Sequence, residues 1–441
     1  MSDADLAYGP GAPSGATAGT WRCGARVFDL SSPIVMGIVN TTPDSFSDGG
    51  EHDTSDAAVA HAMRLVSEGA GIIDVGGEST RPGSAPPSVD EEITRTADVV
   101  RELASRGIPV SIDTRRPAVA RAALDAGACI VNDVSGFRDP AMRDVLAASD
   151  AGAVVMHMQG EPGHMQDDPA YDDVVAEVES YLLARADLLA ASGVARERIC
   201  LDPGVGFGKR TSHNLALLDA TSRLASHGMP LMVAVSRKSL IGEMTGIDVP
   251  ADRDAASALC AASACLDGAR IARVHDVAGT VRVLNDSRRA ALSLGSNVGD
   301  GPAHLDAAIR SLRRERGVWV SRVSGYVRSE PAYRTDQPVF TNAAALVQTT
   351  LSPSELLDAL HRIEASEGRV RTAPNAPRTL DIDIVDYAGT VTDDVDLTLP
   401  HPLARERAFV VEPLLEISPG HVLADGTPLA RESAQVGRLL S

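Results

Sequence analysis

Asp381 and Asp383 stand two residues apart inside the run TLDIDIVDY. If that run is a strand, its period of two sends both carboxylates to one face. A rigid pair of acids suits Mg2+ held together with the phosphates of a nucleotide. A solvated strand edge would show the same spacing, so the neighbours decide. Arg369, Arg371 and Arg378 crowd the stretch just before the acids, and His401, Arg405 and Arg407 follow them. Guanidiniums are planar, forked donors to phosphate oxygens. Acids for a metal beside arginines for phosphate are the parts that phosphoryl or pyrophosphoryl transfer needs. Phe340 and Phe409 are rare aromatics in a chain that is 3% aromatic. Each fits a core position or a stacking plate, and Asn342 would share the face of Phe340.

Earlier in the chain, polar residues recur just after short apolar runs: Asn40, the run 78–81 (ESTR), Asp113, Asn132-Asp133, His157, Asp202, Arg237-Lys238, Arg273 and His275. Capping or turn chemistry explains any one of them, but not a polar group after every run. Asp113, Asn132 and Asp202 bring acceptors and an amide, suited to a flat heterocycle with several N–H donors. Arg81, Lys238, Arg273 and His275 bring cationic donors for phosphate oxygens. Asn40 can hold Mg2+ through its oxygen, with water completing the shell. The segments 41–50 (TTPDSFSDGG) and 79–84 (STRPGS) read as loops over such a site. The run 204–209 (GVGFGK) is Gly-rich but is no P-loop, because Pro203 and Arg210 stand where that motif requires Gly and Ser/Thr. It reads as a βα loop after Asp202. The chain has 41 Lys+Arg, and only Lys209 and Lys238 are lysines. A compact ammonium at Lys238, where nearly every other cation is Arg, points to a role that a planar fork would not fill. Lys209 reads as a loop residue.

The elements that must position these groups follow from periodicity. Short runs, apolar on both faces, occur at 34–40, 71–77, 109–114, 129–133, 153–158, 199–203, 230–237 and 269–275, as expected for strands of a covered parallel sheet. Amphipathic helical patterns lie between them at 54–68, 90–105, 117–126, 172–192 and 212–226, many opened by Ser, Thr, Asp or Pro. Eight even repeats in about 260 residues predict an α/β fold, a (β/α)8 barrel, with an open doubly wound sheet as the runner-up. After 285 the pattern changes. Strands are expected at 290–297, 318–327, 339–349 and 380–387, helices at 302–316 and 354–367, and a turn-rich stretch at 331–338. This is an α+β layout. The expected organisation is a disordered tail over 1–20, the barrel over 21–285, a polar joint over 286–289 and a second domain over 290–441.

Composition narrows the function classes. The 441 residues carry a net charge of −19. The portion 1–289 holds 26 cationic and 40 acidic residues, and 290–441 holds 15 and 20. Neither half is basic, so nucleic-acid or anionic-membrane binding by overall charge is disfavoured. Phosphate sites must therefore be local. Five cysteines without a C-x-x-C pair argue against a disulfide framework or a zinc site. A signal-peptide pattern is lacking, no apolar run is long enough to span a membrane, and the expected location is cytoplasmic.

The segments MGIVNTTPDSFSDGG, DVGGESTRPG, SIDT, NDVSG, LDPGVGFGK, SRKS and RVHD resemble dihydropteroate synthase, in family order from residue 26 to about 285. The resemblance implies a (β/α)8 barrel, usually dimeric, that joins a dihydropterin pyrophosphate to p-aminobenzoate and releases pyrophosphate. It implies that Asp113, Asn132, Asp202 and Lys238 bind the pterin, Asp113 and Lys238 acting in catalysis. Asn40 matches the Mg2+ ligand, and Arg81, Arg273 and His275 match pyrophosphate positions. Phe46, Thr80, Pro82, Phe207 and Ser239 match p-aminobenzoate and loop positions.

The segments LSLGSNVGD, DQPVFTNAA, RIE…GRVR, PRTLDIDI and PHPLARERAF resemble 6-hydroxymethyl-7,8-dihydropterin pyrophosphokinase, from about 290 to 430. That resemblance implies a ferredoxin-like α+β fold moving pyrophosphate from ATP to the pterin alcohol. Asp381 and Asp383 match Mg2+ ligands, while Phe340, Asn342 and Phe409 match pterin contacts. Glu364, Arg369, Arg371, Arg378, His401 and Arg407 match ATP-site positions, Arg369 and Arg378 acting in catalysis. The sequence departs from the family at 372–377 (TAPNAP), which is shorter and less basic than usual, and at Ala332-Tyr333. The reading is a bifunctional enzyme of folate biosynthesis. The alternative is an active barrel with a structural second domain. A pterin-binding methyltransferase would need neither the STRPGS segment nor Arg273 and His275, and a non-catalytic pterin carrier would leave a Mg2+ site and leaving-group cations together unexplained.

Overall fold

The computed structural model describes residues 19–41, 51–78, 86–161, 163–332, 334, 336–370 and 376–440. Its described residues divide into two compact units, one of 19–243 with 247–282 and one of 283–440 with 244–246.

The first unit opens with an antiparallel hairpin, β1 (Thr20–Cys23) and β2 (Arg26–Asp29). Eight parallel strands follow: β3 (Ile34–Asn40), β4 (Ile72–Gly76), β5 (Val110–Asp113), β6 (Ile130–Asp133), β7 (Gly152–Met156), β8 (Ile199–Asp202), β9 (Met232–Val233) and β10 (Ile271–Val274). They neighbour one another in the order β8-β7-β6-β5-β4-β3-β10-β9, and a parallel bridge between Leu201 and Leu231 joins the two ends into a ring. Helices fill the crossovers, including Val89–Ser105, whose Ser88/Glu91 capping box satisfies its first amides, and Val174–Ala191, capped by Asp173. The expected (β/α)8 barrel is what forms.

Two elements differ from expectation for local reasons. The run 230–237 pairs as a strand only at β9, and Arg237 takes a left-handed φ of 61° that turns the chain away. The helix expected over 212–226 breaks at Ala220 into Thr211–Asp219 and Thr221–Ala225, where Thr221 Oγ1 bonds back to Leu218 O at 2.7 Å. The hairpin was not expected, and it plugs the end of the barrel where the strands begin. Trp21, Cys23 and Leu30 pack on a layer of inward side chains: Met36, Ile72, Ile130, Val154, Cys200, Met232 and Ile271. Trp21 Nε1 donates to Arg198 O at 3.0 Å, and a Cβ at Gly152 would overlap Cys23 Sγ.

The second unit has the order βαββαβ: β11 (Arg288–Ser296), helix Gly301–Arg314, β12 (Val318–Val323) continued by β13 (Val327–Ser329), β14 (Phe340–Thr349), helix Pro353–Ser366 and β15 (Asp381–Tyr387). β11 pairs antiparallel with both β14 and β15, while β12 and β13 line the far side of β14. This is the ferredoxin-like arrangement. The strand expected over 318–327 is split because Ser324 folds onto Ala344 through its amide and hydroxyl. One sheet face (Leu292, Leu294, Ala345, Ile382, Ile384) packs on the two helices through Leu305, Leu312, Leu356 and Leu360. The other (Ala291, Ala344, Leu346, Val385) packs on the helix Ala408–Ile417. Helix Val277–Asp286 and β11 leave Ser287 between them, so the joint expected over 286–289 is shorter. Among the described residues no helix is long and apolar enough to cross a membrane.

Candidate active sites

Period two builds the barrel site in columns. Ile72 belongs to the plugged layer, so Asp74 points inward one step higher on β4. The same step puts Asn132 above Ile130, Asp202 above Cys200, and Arg273 then His275 above Ile271. Asn40 ends β3 above Met36, and Asp113 ends β5. Ring closure therefore gathers the ends of six strands at one mouth, the C-terminal end where barrels place their chemistry.

An ion cluster occupies that mouth. Arg273 Nε donates to Asp74 Oδ2 and its Nη2 to Asp113 Oδ2, both at 2.6 Å. Asn132 Nδ2 donates to the same Asp74 oxygen at 3.2 Å. Burial raises the Asp113 carboxyl to about 7 against the pull of Arg273, and raises that of Asp202 as well. Buried acceptors at Asp74 Oδ1 and Asn132 Oδ1 have no partner among the described residues. Such atoms call for a ligand or water.

Lys238, after β9, lies near the same charges: Asp202, Arg273 and Asp113 all act on its ammonium. Its Nζ donates to Val205 O and lies 4.7 Å from the centroid of the Phe207 ring. Burial lowers it to about 8, with Asp202 holding it up. Ser239 follows at the start of the helix Ser239–Thr245. His275 Nδ1 lies 3.0 Å from Ser236 Oγ. Not every strand-end group joins the cluster. Asp133 folds back onto the amides of Ser135 and Phe137 at 2.8 and 2.9 Å, Arg237 pairs with Asp254, and Glu78 pairs with Arg115. His157 is buried against Lys209. Phe46, Thr80, Arg81 and Pro82 lie outside the described residues.

In the second domain one pocket is lined by Phe340, Asn342, Arg378, Asp381, Asp383, Arg407 and Phe409, together with Ser293, Gly295, Ser329, Glu330, Ala332 and Gln337. The sheet explains the gathering. Ile382 and Ile384 point into the core, so Asp381 and Asp383 face the other way. Arg369 pairs with Asp381 and donates to Leu380 O at 2.7 Å. Arg378 Nη2 reaches the second Asp381 oxygen at 2.9 Å, and Arg407 reaches Asp383 at 3.7 Å. Arg378 and Arg407 also lie over the rings of Phe340 and Phe409, at 5.4 and 5.8 Å. Burial and the Asp381 charge push the Asp383 carboxyl up.

Glu364 sits behind this array. It is buried, accepts the Ile382 amide at 2.8 Å, and lies 3.4 Å from Arg369. Asn342 Nδ2 donates to Ser329 Oγ at 3.0 Å. The half-buried His401 accepts the Leu403 amide on Nδ1, and partial burial lowers its pKa. Arg371 lies outside the described residues, as do Tyr333 and most of 372–377.

Each of the two domains matches a family of known proteins. The family model of pterin-binding enzymes matches residues 36–275. That of the 7,8-dihydro-6-hydroxymethylpterin-pyrophosphokinases matches 291–419. The dihydropteroate synthase of Escherichia coli is 46% identical over 257 residues, covering 58% of this chain and 91% of that protein. The chain belongs to the pterin-binding enzymes. A solved Xanthomonas albilineans dihydropteroate synthase, with 4-aminobenzoic acid, matches with a TM-score of 0.58 at 46% identity, over 61% of this chain and 96% of its own. That of Burkholderia cenocepacia, complexed with 7,8-dihydropteroate, matches at 0.56 and 43%, over 61% and 95%. The barrel is a dihydropteroate synthase domain and the second unit a pyrophosphokinase domain, an assembly for folate biosynthesis.

Three residues of these pterin-enzyme sites were not singled out from the sequence. Asp74 is fully buried at the centre of the barrel cluster. An acid inside an otherwise apolar strand run is the signal that could have found it. Ser329 orients Asn342. Asn297 accepts the Arg378 amide at 2.8 Å and donates to Gln337 at 3.1 Å, tying together two edges of the pocket.

Proposed function

We propose that the second domain moves a pyrophosphoryl group from ATP to 6-hydroxymethyl-7,8-dihydropterin, releasing AMP. The barrel then joins that ester to p-aminobenzoate, releasing pyrophosphate and 7,8-dihydropteroate. The observation that carries the first step is the convergence of two acids, three arginines and two aromatic rings around one pocket. For the second it is the Asp74–Arg273–Asp113 cluster, with its unpartnered acceptors beside Asp202 and Lys238. The relatives solved with 4-aminobenzoic acid and 7,8-dihydropteroate support the substrate pair.

In the pyrophosphokinase pocket, Phe340 and Phe409 sandwich the pterin and Asn342 bonds its edge. Arg369 and Arg378, with Arg371, Arg407 and His401, meet the phosphates, and Glu364 holds Arg369 from behind. The donor set at Asp381 and Asp383 fits Mg2+: hard carboxylate oxygens side by side on one strand. Two carboxylates alone would leave the shell to be completed by phosphate oxygens and water. Bound there, Mg2+ would offset the charge that develops on the transferred group. Asn40, a single amide oxygen, suits a Mg2+ held mainly by pyrophosphate and water.

In the barrel, Asn132 and Asp202 accept the N–H groups of the heterocycle, and Lys238 donates to it. The bond between the pterin methylene and the ester oxygen breaks first. Pyrophosphate leaves toward Arg273, His275 and Arg81, and the Asp113 carboxylate offsets the methylene cation. Phe207 and Ser239, with Phe46, Thr80 and Pro82, hold p-aminobenzoate so that its nitrogen attacks that carbon and sheds a proton. The enzyme works as a cytoplasmic homodimer through the barrel.

The test uses the full chain with ATP, Mg2+, the pterin alcohol and p-aminobenzoate. AMP and dihydropteroate should both appear. Absence of AMP refutes the pyrophosphokinase step. Absence of dihydropteroate from ready-made pterin pyrophosphate refutes the barrel step.

A further inference from the structure

Residues 436–440 lie beyond the stretch matched by the pyrophosphokinase family model, which ends at 419. They connect two separate pieces of the pocket. On one side Val436 N donates to Glu406 O at 2.7 Å, and Ala408 N donates to Val436 O at 2.9 Å. These bonds straddle Arg407 and fix the entry to the helix that carries Phe409. On the other side Glu330 N donates to Arg438 O at 2.9 Å, and Leu439 and Leu440 pair with Ser329 and Arg328 of β13. Ser329, Glu330, Arg407 and Phe409 all line the pocket.

Gly437 stands between the two anchors with φ of 74°. A Cβ at this position would overlap Cδ1 of Phe409 and lie 2.6 Å from its Cε1. Both the backbone angle and the space exclude a side chain. The segment therefore backs the Phe409 ring directly. Neither anchor involves Arg369 or Glu364, which face the other end of the pocket's arginine array.

We propose that the segment 436–440 is a positioning element that backs one aromatic wall of the pterin pocket, sets the placement of Phe409 and thereby governs pterin affinity without governing nucleotide affinity. This rests on the pyrophosphokinase reading of the pocket. A stacking plate works only at its contact distance and tilt. Displacing it weakens the pterin contact and leaves phosphate recognition by Arg369 and Arg378 intact.

The experiment compares the full chain with Gly437→Val and with a chain ending at Gln435. Binding of the pterin alcohol is followed by its own fluorescence, and ATP binding by equilibrium dialysis. In both variants the pterin Kd should rise about tenfold, the worth of one aromatic stack. In Gly437→Val, which keeps the Val436 bonds on either side of Arg407, the ATP Kd should stay within about twofold, and in both variants dihydropteroate synthesis from ready-made pterin pyrophosphate should be unchanged. A pterin Kd unchanged in both variants overturns the proposal. So does a parallel rise in both constants in Gly437→Val, which would mean general loosening. A wild-type chain that binds the pterin alcohol but releases no AMP breaks the pyrophosphokinase reading instead, and the two binding constants still decide this one.

Discussion

In the barrel, Asp74, Asp113, Asn132 and Asp202 come from four strands and meet only because a closed ring brings the strand ends together. In the second domain, Asp381 and Asp383 share one strand, and two of their arginine partners lie within the preceding stretch. Both sites compensate their acids with guanidiniums. In the barrel one arginine serves two acids, and Arg273 is itself enclosed. In the second domain, two arginines serve Asp381 and a third faces the more exposed Asp383. A site spread over the fold is held by the whole barrel core, whereas a local site is held by one strand and the loops beside it. The first resists displacement, and the second can be switched off by changes confined to β15.

The largest effect should therefore come from β15. Asp381→Asn with Asp383→Asn should cut AMP release by on the order of a thousandfold, the several kcal/mol that the proposed Mg2+ would supply. Dihydropteroate formation from ready-made ester should be unaffected. Assaying both products on one preparation tests this, and a shared loss would mean that the two sites are not separable in this way.

The same contrast decided what could be read from the sequence. Asp381 and Asp383 were visible because i and i+2 spacing is a local signal. Asp113, Asn132 and Asp202 were visible as strand-end groups once eight apolar runs had been recognised. Strand-end position cannot separate a site group from a turn group, however. Asp133 sits beside Asn132 in the sequence, yet it caps the next turn. Asp74 was passed over because it lies inside its strand, and only the inward column above Ile72 reveals its role. The hairpin β1–β2 was missed because two four-residue strands beside a Gly- and Pro-rich segment carry no periodicity. Trp21 shows its function only against the barrel layer it covers.

A smaller loss is expected within the barrel. Lys238→Arg should lower dihydropteroate formation about a hundredfold, because a planar fork cannot occupy the position between Val205 O and the Phe207 ring without shifting by an ångström or so. The melting temperature should hold. Near-normal turnover would show that the compact ammonium has no special role. The barrel's pH profile should differ too. Asp113 is ionised above about 7 and Lys238 is protonated below about 8, so kcat/KM should form a narrow bell between those limbs. Asp113→Asn should remove the acid limb from the residual activity. The raised Asp113 pKa means that the folded state keeps a proton which the unfolded chain loses. Its contribution to stability therefore falls as pH rises from roughly 4 toward 7, and a pH series of unfolding midpoints should flatten over that range in Asp113→Asn.

The smallest effect should come from Lys209, which never reaches the mouth. Its Nζ is buried and lies 2.9 Å from His157 Nδ1, 2.9 Å from Gly204 O, 3.0 Å from Phe207 O and 3.3 Å from His157 O. As an ammonium Lys209 has only donors, a form in which His157 would accept on Nδ1, although burial lowers Lys209 to about 7. Burial and the Lys209 charge agree, lowering His157 to about 3 and keeping it neutral. Lys209 thus gathers the loop 204–207 from beneath, while Lys238 meets Val205 O and the Phe207 ring of the same loop from the mouth. Lys209→Met fills the space and removes the donors. The p-aminobenzoate KM should rise by up to about tenfold, the worth of one or two hydrogen bonds, with kcat nearly unchanged, because Phe207 loses its placement while the proposed pterin contacts at Asn132 and Asp202 stay. A fall in melting temperature with an unchanged KM would reduce Lys209 to a fold residue. A loss of kcat as large as that of Lys238→Arg would mean that the loop and the mouth act as one unit, and the distinction between a distributed and a local site would have to be redrawn inside the barrel itself.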